Sequence, residues 1–143
     1  MKQTEIVPEF VDDIPEQLEE GRLYVSQKHT LGIHLCCCGC GGEVVTPFSP
    51  AEWRLTIQEE RVTLTPSIGN WGFRCQSHYW IRSNQIYWAL PLNERQIAAV
   101  RNKDRADLAA HVAAVNAQRA ARWPRRKIFL RIAQAISSWF RAR

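Results

Sequence analysis

The run Cys36-Cys37-Cys38-Gly39-Cys40-Gly41-Gly42 decides how this sequence folds. It holds four of the five cysteines of the chain, and the fifth begins a second short motif, Cys75-Gln76-Ser77-His78. Zinc in proteins usually takes four thiolate or imidazole ligands, supplied by two short turns that the fold brings together. The glycines of the first motif allow the backbone to turn tightly around an ion. The two motifs therefore predict one zinc ion that joins two distant parts of the chain.

The two motifs offer more ligands than one zinc ion needs. The expected ligands are Cys38, Cys40, Cys75 and His78, with Cys36 as the substitute. So many thiolates can close the coordination shell, which favours a structural ion. The alternative is a set of reduced core cysteines, because cysteine is often buried. His29 and His34 are weaker ligand candidates, since a lone histidine on a strand is more often a core or surface group.

The cysteine pattern and the termini also indicate where the protein resides. Cysteines packed so closely suit metal binding in a reducing compartment better than long-range disulfides. No run of about 18 apolar residues occurs, and residues 1–5 lack the basic start and apolar run of a signal peptide. We therefore expect a cytoplasmic protein of 143 residues, which is the size of one ordinary domain with appendages.

Charge divides the chain into an acidic start and a basic end. Residues 1–20 carry seven acidic side chains and only one basic residue, Lys2, whereas eight basic residues and no acidic residue follow from Arg119 onward. We interpret residues 1–20 as an acidic N-terminal arm with little regular structure, because Pro8 and Pro15 interrupt it. The basic end can attract this arm or an acidic partner.

Residues 21–91 have the pattern of a zinc-binding β domain. Short runs of branched and aromatic residues alternate with turn residues. The predicted strands are Arg22–Ser26, Leu31–Leu35, Glu43–Thr46, Trp53–Ile57, Val62–Thr65, His78–Arg82 and Ile86–Trp88. Hairpin turns between them predict an antiparallel β meander, which is too small to be stable on sheet burial alone.

Residues 92–143 read as a helical extension. Asn93 followed by Gln96 is typical of a capping box, and it predicts a helix that ends near Arg122. Pro124 opens a second helix through Phe140, which is basic and amphipathic. The predicted fold class is therefore α+β, a zinc-stabilised antiparallel β meander followed by two C-terminal helices.

Three motifs together carry a likeness to a known family. They are the run Cys36–Gly41, the stretch Thr65–Trp71, and the stretch Cys75–Ile81 with its closing Ile86-Tyr87-Trp88. They resemble an uncharacterised family of small bacterial zinc-binding proteins with a C-P-C-G-C-G knuckle and a C-x-S-H-aromatic-aromatic-I motif. Cys37 stands where that family has proline, which makes Cys37 the candidate for a spare thiol. The likeness covers about residues 18–88.

The resemblance implies a role in bacterial ubiquitin-like conjugation, because members of that family are encoded beside ubiquitin-like proteins and their E1-like and E2-like enzymes. The first hypothesis is an accessory protein, with a link to phage defence, that recognises the ubiquitin-like protein or those enzymes. Aromatic side chains dominate many protein interfaces. The expected partner anchors are Trp71, Tyr79 and Trp80.

The second hypothesis is a peptidase that processes or removes the ubiquitin-like protein, as a deubiquitinase does. A nucleophile needs a base within hydrogen-bond reach. The candidate catalytic residues are Ser67, Ser77 and His34, with His29 and His78 as further bases. A zinc-bound His78 would not be free to act as the base. A zinc hydrolase would instead need an open coordination site and a carboxylate such as Glu43 or Glu52.

The third hypothesis concerns the basic tail. A basic amphipathic helix that ends in Trp139-Phe140 suits an anionic membrane surface or nucleic acid. Docking of its apolar stripe on this domain or on a partner protein is the favoured alternative. Nucleic-acid binding is the least favoured, because no exposed aromatic residues alternate with the basic ones along a sheet.

Overall fold

The computed structural model describes residues 1–122, and the second helix predicted for Pro124–Phe140 lies outside them. The described elements follow one another as eight strands and a helix. They are β1 (Val7–Phe10), β2 (Arg22–Ser26), β3 (Leu31–Leu35), β4 (Glu43–Pro47), β5 (Arg54–Gln58), β6 (Arg61–Gly69), β7 (His78–Arg82), β8 (Gln85–Trp88) and α1 (Glu94–Arg122). The α+β class is confirmed.

The strands form two four-stranded sheets instead of one meander. The first sheet has the order β1-β2-β3-β4 and the second has the order β5-β6-β7-β8. All neighbours are antiparallel except β1 and β2, which run parallel. The chain leaves the first sheet after β4, where Phe48 forms a bridge with Trp53.

The acidic arm contributes a strand that the sequence pattern did not predict. Pro8 lies inside β1, at the edge of the first sheet. A proline is tolerated there because an edge strand leaves one side of its backbone unpaired. The Arg22 guanidinium lies 3.0 Å from the Glu9 carboxylate and joins the arm to β2.

One hydrophobic core receives side chains from both sheets. Its members are Ile6, Leu23, Val25, Cys36, Cys37, Val44, Val62, Leu64, Ile68, Tyr79, Ile81 and Ile86. Side chains alternate between the two faces of a strand. In β7, Tyr79 and Ile81 are therefore buried, while His78 and Trp80 point to the outer face, where they are half-buried. The same alternation in β6 buries Ile68 and leaves Ser67 half-buried on the outer face.

The first helix begins as the sequence predicts. The Gln96 amide donates to Asn93 Oδ1 at 2.9 Å, and the Asn93 amide donates to Gln96 Oε1 at 3.0 Å. Both halves of the capping box are therefore formed. Ile97 is the buried residue of α1. Residues 1–105 form one compact unit, and residues 106–122 belong to a second one. Within residues 1–122, no helix is long and apolar enough to cross a membrane.

Candidate active site and metal centre

Four cysteines from the two motifs meet at one point. The ligand atoms of Cys36, Cys38, Cys40 and Cys75 all lie within 4.8 Å of one another. Cys36 Sγ is 3.4 Å from Cys38 Sγ and 3.9 Å from Cys75 Sγ, and Cys40 Sγ is 3.7 Å from Cys75 Sγ. Four thiolates at about 2.3 Å from a tetrahedral zinc ion would be about 3.8 Å apart. The cluster therefore fits a four-thiolate metal site and can hold an ion.

The backbone of the first motif folds back on itself to present its thiols. The Cys36 amide donates to the Gly42 carbonyl at 2.7 Å, and the Gly39 amide donates to the Cys36 carbonyl at 2.9 Å. Gly39 and Gly41 have φ angles of 80° and 74°. Glycine adopts such angles without the steric cost that other residues meet. These turns allow three cysteines within five positions to face one centre.

Two polar side chains surround Cys36 behind this cluster. Ser77 Oγ lies 3.1 Å from Cys36 Sγ, and Asn70 Nδ2 donates to Ser77 Oγ at 2.9 Å. Groups of this kind orient metal ligands and tune their charge. Partial burial raises the pKa of Cys75. Hydrogen bonds from Ser77, Cys38 and Cys40 lower it by more, so the pKa of Cys75 is about 7. The pKa of Cys36 is raised, chiefly by burial.

The buried polar contacts continue into the core. The Tyr79 hydroxyl lies 2.9 Å from His34 Nε2, and Tyr79 is fully buried. Burial lowers the pKa of His34 to about 4 and raises the pKa of Tyr79. Cys37 is buried next to Tyr79, outside the group of four cysteines, and burial raises its pKa to about 12. His34, Tyr79 and Cys37 therefore have neutral side chains near pH 7.

His78 is directed away from the cysteines and toward a serine. Its Nε2 lies 3.0 Å from Ser67 Oγ. This is the hydrogen-bond distance between a nucleophile and its general base. His78 does not belong to the group of four thiols, and Cys36 takes the place that the sequence pattern suggested for it. A serine and a histidine from neighbouring strands thus form a dyad.

A bulge in β6 produces this pairing. Leu64 lies opposite Ile81 and Ile68 lies opposite Tyr79, so β6 has three residues (65–67) between these pairs where β7 has only Trp80. Bulges often re-aim side chains beside active sites. Beyond the bulge Gly69 lies opposite His78, which puts Ser67 and His78 on one face as diagonal neighbours.

Two tryptophans enclose the imidazole. The ring centroid of His78 lies 5.0 Å from that of Trp71 and 5.3 Å from that of Trp80. A Cβ on Gly69 would overlap the Trp71 indole, so the absence of a side chain there lets Trp71 lie against β6. Burial lowers the pKa of His78, which keeps the ring neutral and able to accept a proton near pH 7.

The dyad has no third member in the described part of the chain. His78 Nδ1 is buried and has no hydrogen-bond partner among residues 1–122. The flanking tryptophans therefore position the ring by contact, whereas a triad uses a carboxylate for this purpose.

The other candidate residues lie elsewhere. Ser77 is buried against Cys36, and exposed His29 pairs with Asp13 at 2.8 Å. Trp71 and Trp80 are half-buried beside the dyad, so their role as partner anchors stays a prediction. Tyr79 is fully buried, and its ring cannot contact a partner in this fold. Asn70 was not among the predicted site residues, and only its place between Gly69 and Trp71 marks it in the sequence.

Most of the β domain matches the model of a known protein family. Residues 10–89 match the model of a family described as "BubE: Bacterial ubiquitination-like system serine protease". The matched segment covers more than half of the chain and contains both the dyad and the four cysteines. No curated protein and no solved structure shows significant similarity to the chain.

Proposed function

Because the chain belongs to the BubE family of bacterial ubiquitination-like systems, we propose that it is a serine peptidase of such a system, with Ser67 as nucleophile and His78 as general base. The substrate would be the system's ubiquitin-like protein with a further group attached to its C-terminal residue. The peptidase would cut the bond between that residue and the attached group. The observation that carries this proposal is the 3.0 Å contact between Ser67 Oγ and His78 Nε2.

The first half of the reaction would acylate the serine. Ser67 Oγ attacks the scissile carbonyl carbon while His78 Nε2 accepts the hydroxyl proton. Collapse of the tetrahedral intermediate breaks the bond to the leaving group, which takes that proton from His78. The lowered pKa of His78 favours the neutral ring that this step requires.

The second half would regenerate the enzyme. A water molecule attacks the acyl carbon and gives its proton to His78, and the bond to Ser67 Oγ then breaks as His78 returns the proton. The ubiquitin-like protein leaves with a free C-terminal carboxylate. The dyad is thus used twice, and no further proton carrier is needed.

We propose zinc as the ion of the four-cysteine cluster. Thiolate ligands favour zinc, and a shell closed by four of them is typical of a structural ion. Such an ion would attach the Cys36–Cys40 turn to the segment that precedes β7. Cys36, Cys38, Cys40 and Cys75 would hold it, and the ion would take no part in the bond cleavage.

The test is cleavage of a fusion in which the ubiquitin-like protein precedes a reporter protein. We expect wild-type protein to release the reporter and Ser67→Ala to lose at least about 10³-fold of kcat/KM, since the nucleophile is gone. Intact-mass spectrometry should find an acyl adduct on wild-type protein after rapid quenching, and none on Ser67→Ala.

Ser77→Ala is the matched control. Ser77 directly precedes His78 in the sequence, but its hydroxyl contacts Cys36 and Asn70. This variant should retain cleavage once loaded with metal. Equal activity of wild type and Ser67→Ala would overturn the proposal. Binding of the ubiquitin-like protein without any cleavage would favour the accessory hypothesis, in which the protein only recognises this partner or its E1-like and E2-like enzymes.

A further inference from the structure

We propose that the unpaired edge of β6 beside Ser67 binds the substrate chain as an added β-strand, with the N–H and C=O of Gly69 as its main-chain partners. This inference rests on the proposed peptidase function, and it names how that site holds its substrate: by the backbone of an extended tail.

The edge is open because β5 is shorter than β6. The pairing of β5 with β6 ends at Arg54 and Thr65, whereas β6 continues to Gly69. The chain just before β5 turns away, since the Trp53 amide donates to the Pro47 carbonyl at 3.2 Å. Within residues 1–122, no strand pairs with positions 66–69 on that side.

The hydrogen bonds of β7 determine which way Gly69 faces. The Ala89 amide donates to the His78 carbonyl at 2.9 Å, so the backbone groups of His78 are directed toward β8. In an antiparallel pair, residues alternate between positions that exchange hydrogen bonds and positions that do not. Gly69 lies opposite His78 and is therefore a position that does not bond to β7.

A second bond supports this assignment. The Asn70 amide donates to the Ser77 carbonyl at 2.9 Å, which makes the next pair along the strands a bonded one. The N–H and C=O of Gly69 must then point away from β7, into the open edge. Exposed strand edges bind extended peptides through such groups, with pockets for alternate side chains.

The position of the edge relative to the dyad suggests what occupies it. Ser67 is two residues from Gly69 and lies on the same face of β6, with the His78 ring next to both. A chain paired with Gly69 would lie about 4.8 Å from β6, the normal spacing of strands, and would pass beside Ser67 Oγ. Trp71 lies over Gly69 and would contact the side chains of that tail.

The test uses synthetic peptides of the last eight or so residues of the ubiquitin-like protein, each with one N-methylated residue. Binding to Ser67→Ala protein is measured by titration, so no turnover is needed. We expect affinity to fall about tenfold at alternate positions of the short stretch that would lie against positions 66–69, and to change little at the positions between, because only alternate residues would bond to β6. The intervening positions are the internal control.

The same peptides, extended across the cleavage site, are then given to wild-type protein. Their kcat/KM should follow the same alternation. Binding that is insensitive to N-methylation, or equally weakened at every position, would overturn the strand-addition inference whether or not cleavage occurs. Alternating binding with no cleavage would overturn the peptidase function and leave strand addition standing.

Discussion

The two ends of the short motif Cys75-Gln76-Ser77-His78 belong to different sites. Cys75 joins three thiols of the first cysteine run, while His78 joins Ser67 on β6. The difference arises at the start of β7. His78 is the first residue of this strand, and the His78 side chain lies on the outer face of the sheet. A spacing that is typical of two zinc ligands therefore places one thiol in the cysteine cluster and one imidazole beside a serine. The cysteine cluster brings the two cysteine motifs together at this point, and the register of β6 against β7 places Ser67 beside His78.

Loss of a cluster cysteine should have the largest effect. We expect Cys75→Ser to abolish metal binding and to unfold the domain or lower its Tm by about 20 °C or more. Structural zinc contributes roughly 10 kcal/mol or more in small peptides, which is comparable to the whole stability of a domain. Elemental analysis and thermal unfolding measure the two effects.

Cys37→Ala is the control for that experiment. Cys37 adjoins Cys36 but lies in the core, outside the group of four thiols. It should keep one ion per chain and lose only about 1–2 kcal/mol of stability through the removed sulfur. Loss of the ion from this variant, or full metal content in Cys75→Ser, would contradict this division of the cysteines.

The next largest effect should separate half-buried His78 from fully buried His34. His78→Gln removes the proposed base, and we expect kcat/KM to fall roughly 10²–10⁴-fold with little change in Tm. His34→Gln should do the opposite, because His34 is fully buried, contacts Tyr79 and lies away from Ser67. It should lower Tm while kcat stays within a few fold of wild type. A reversed pattern would place the base at His34.

Much of the fold could be predicted from local patterns. The bounds of β2, β3 and β7 match the predicted strands, because each is a short run of branched or aromatic residues between turn residues. The split into two sheets was not predicted, since it depends on which strands pair after β4. β1 was not predicted, because acidic residues and a proline are unusual in strands. β1 tolerates Pro8 because it is an edge strand, of which only one side is paired.

The site was predicted in the same uneven way. Crowded thiols are typical of metal sites and can be recognised in the sequence itself, because a cluster of cysteines has few other uses. Ser67 follows a proline and read equally well as a turn residue. Only the bulge and the register of β6 against β7 bring it to His78, and no local spacing encodes that register. For the same reason Asn70 could not be recognised as a neighbour of Cys36.

A smaller effect, on metal affinity, should come from substitution of Asn70. Asn70 donates to Ser77 Oγ, which lies beside Cys36 Sγ. We expect Asn70→Ala to weaken metal affinity about 10–100-fold, as loss of a ligand-orienting group does elsewhere. Competition with a chelator of known affinity measures it. Asn93→Ala, which removes only the helix cap, should leave metal affinity unchanged. An unaltered affinity for Asn70→Ala would assign Asn70 to packing alone.

The smallest effect should be a shift of the acidic side of the pH–activity profile to lower pH. Burial lowers the pKa of His78 below 6.5, and the base acts only when its ring is neutral. Activity should therefore persist to a lower pH than an ordinary imidazole base would allow, and should fall about tenfold per pH unit once the pH is below the lowered pKa of His78. Metal content is measured at each pH, since thiolates also take up protons in acid. A midpoint above 6.5 with the ion still bound would mean that a negative charge, and not burial, sets the protonation of His78, and that the dyad has a third member after all.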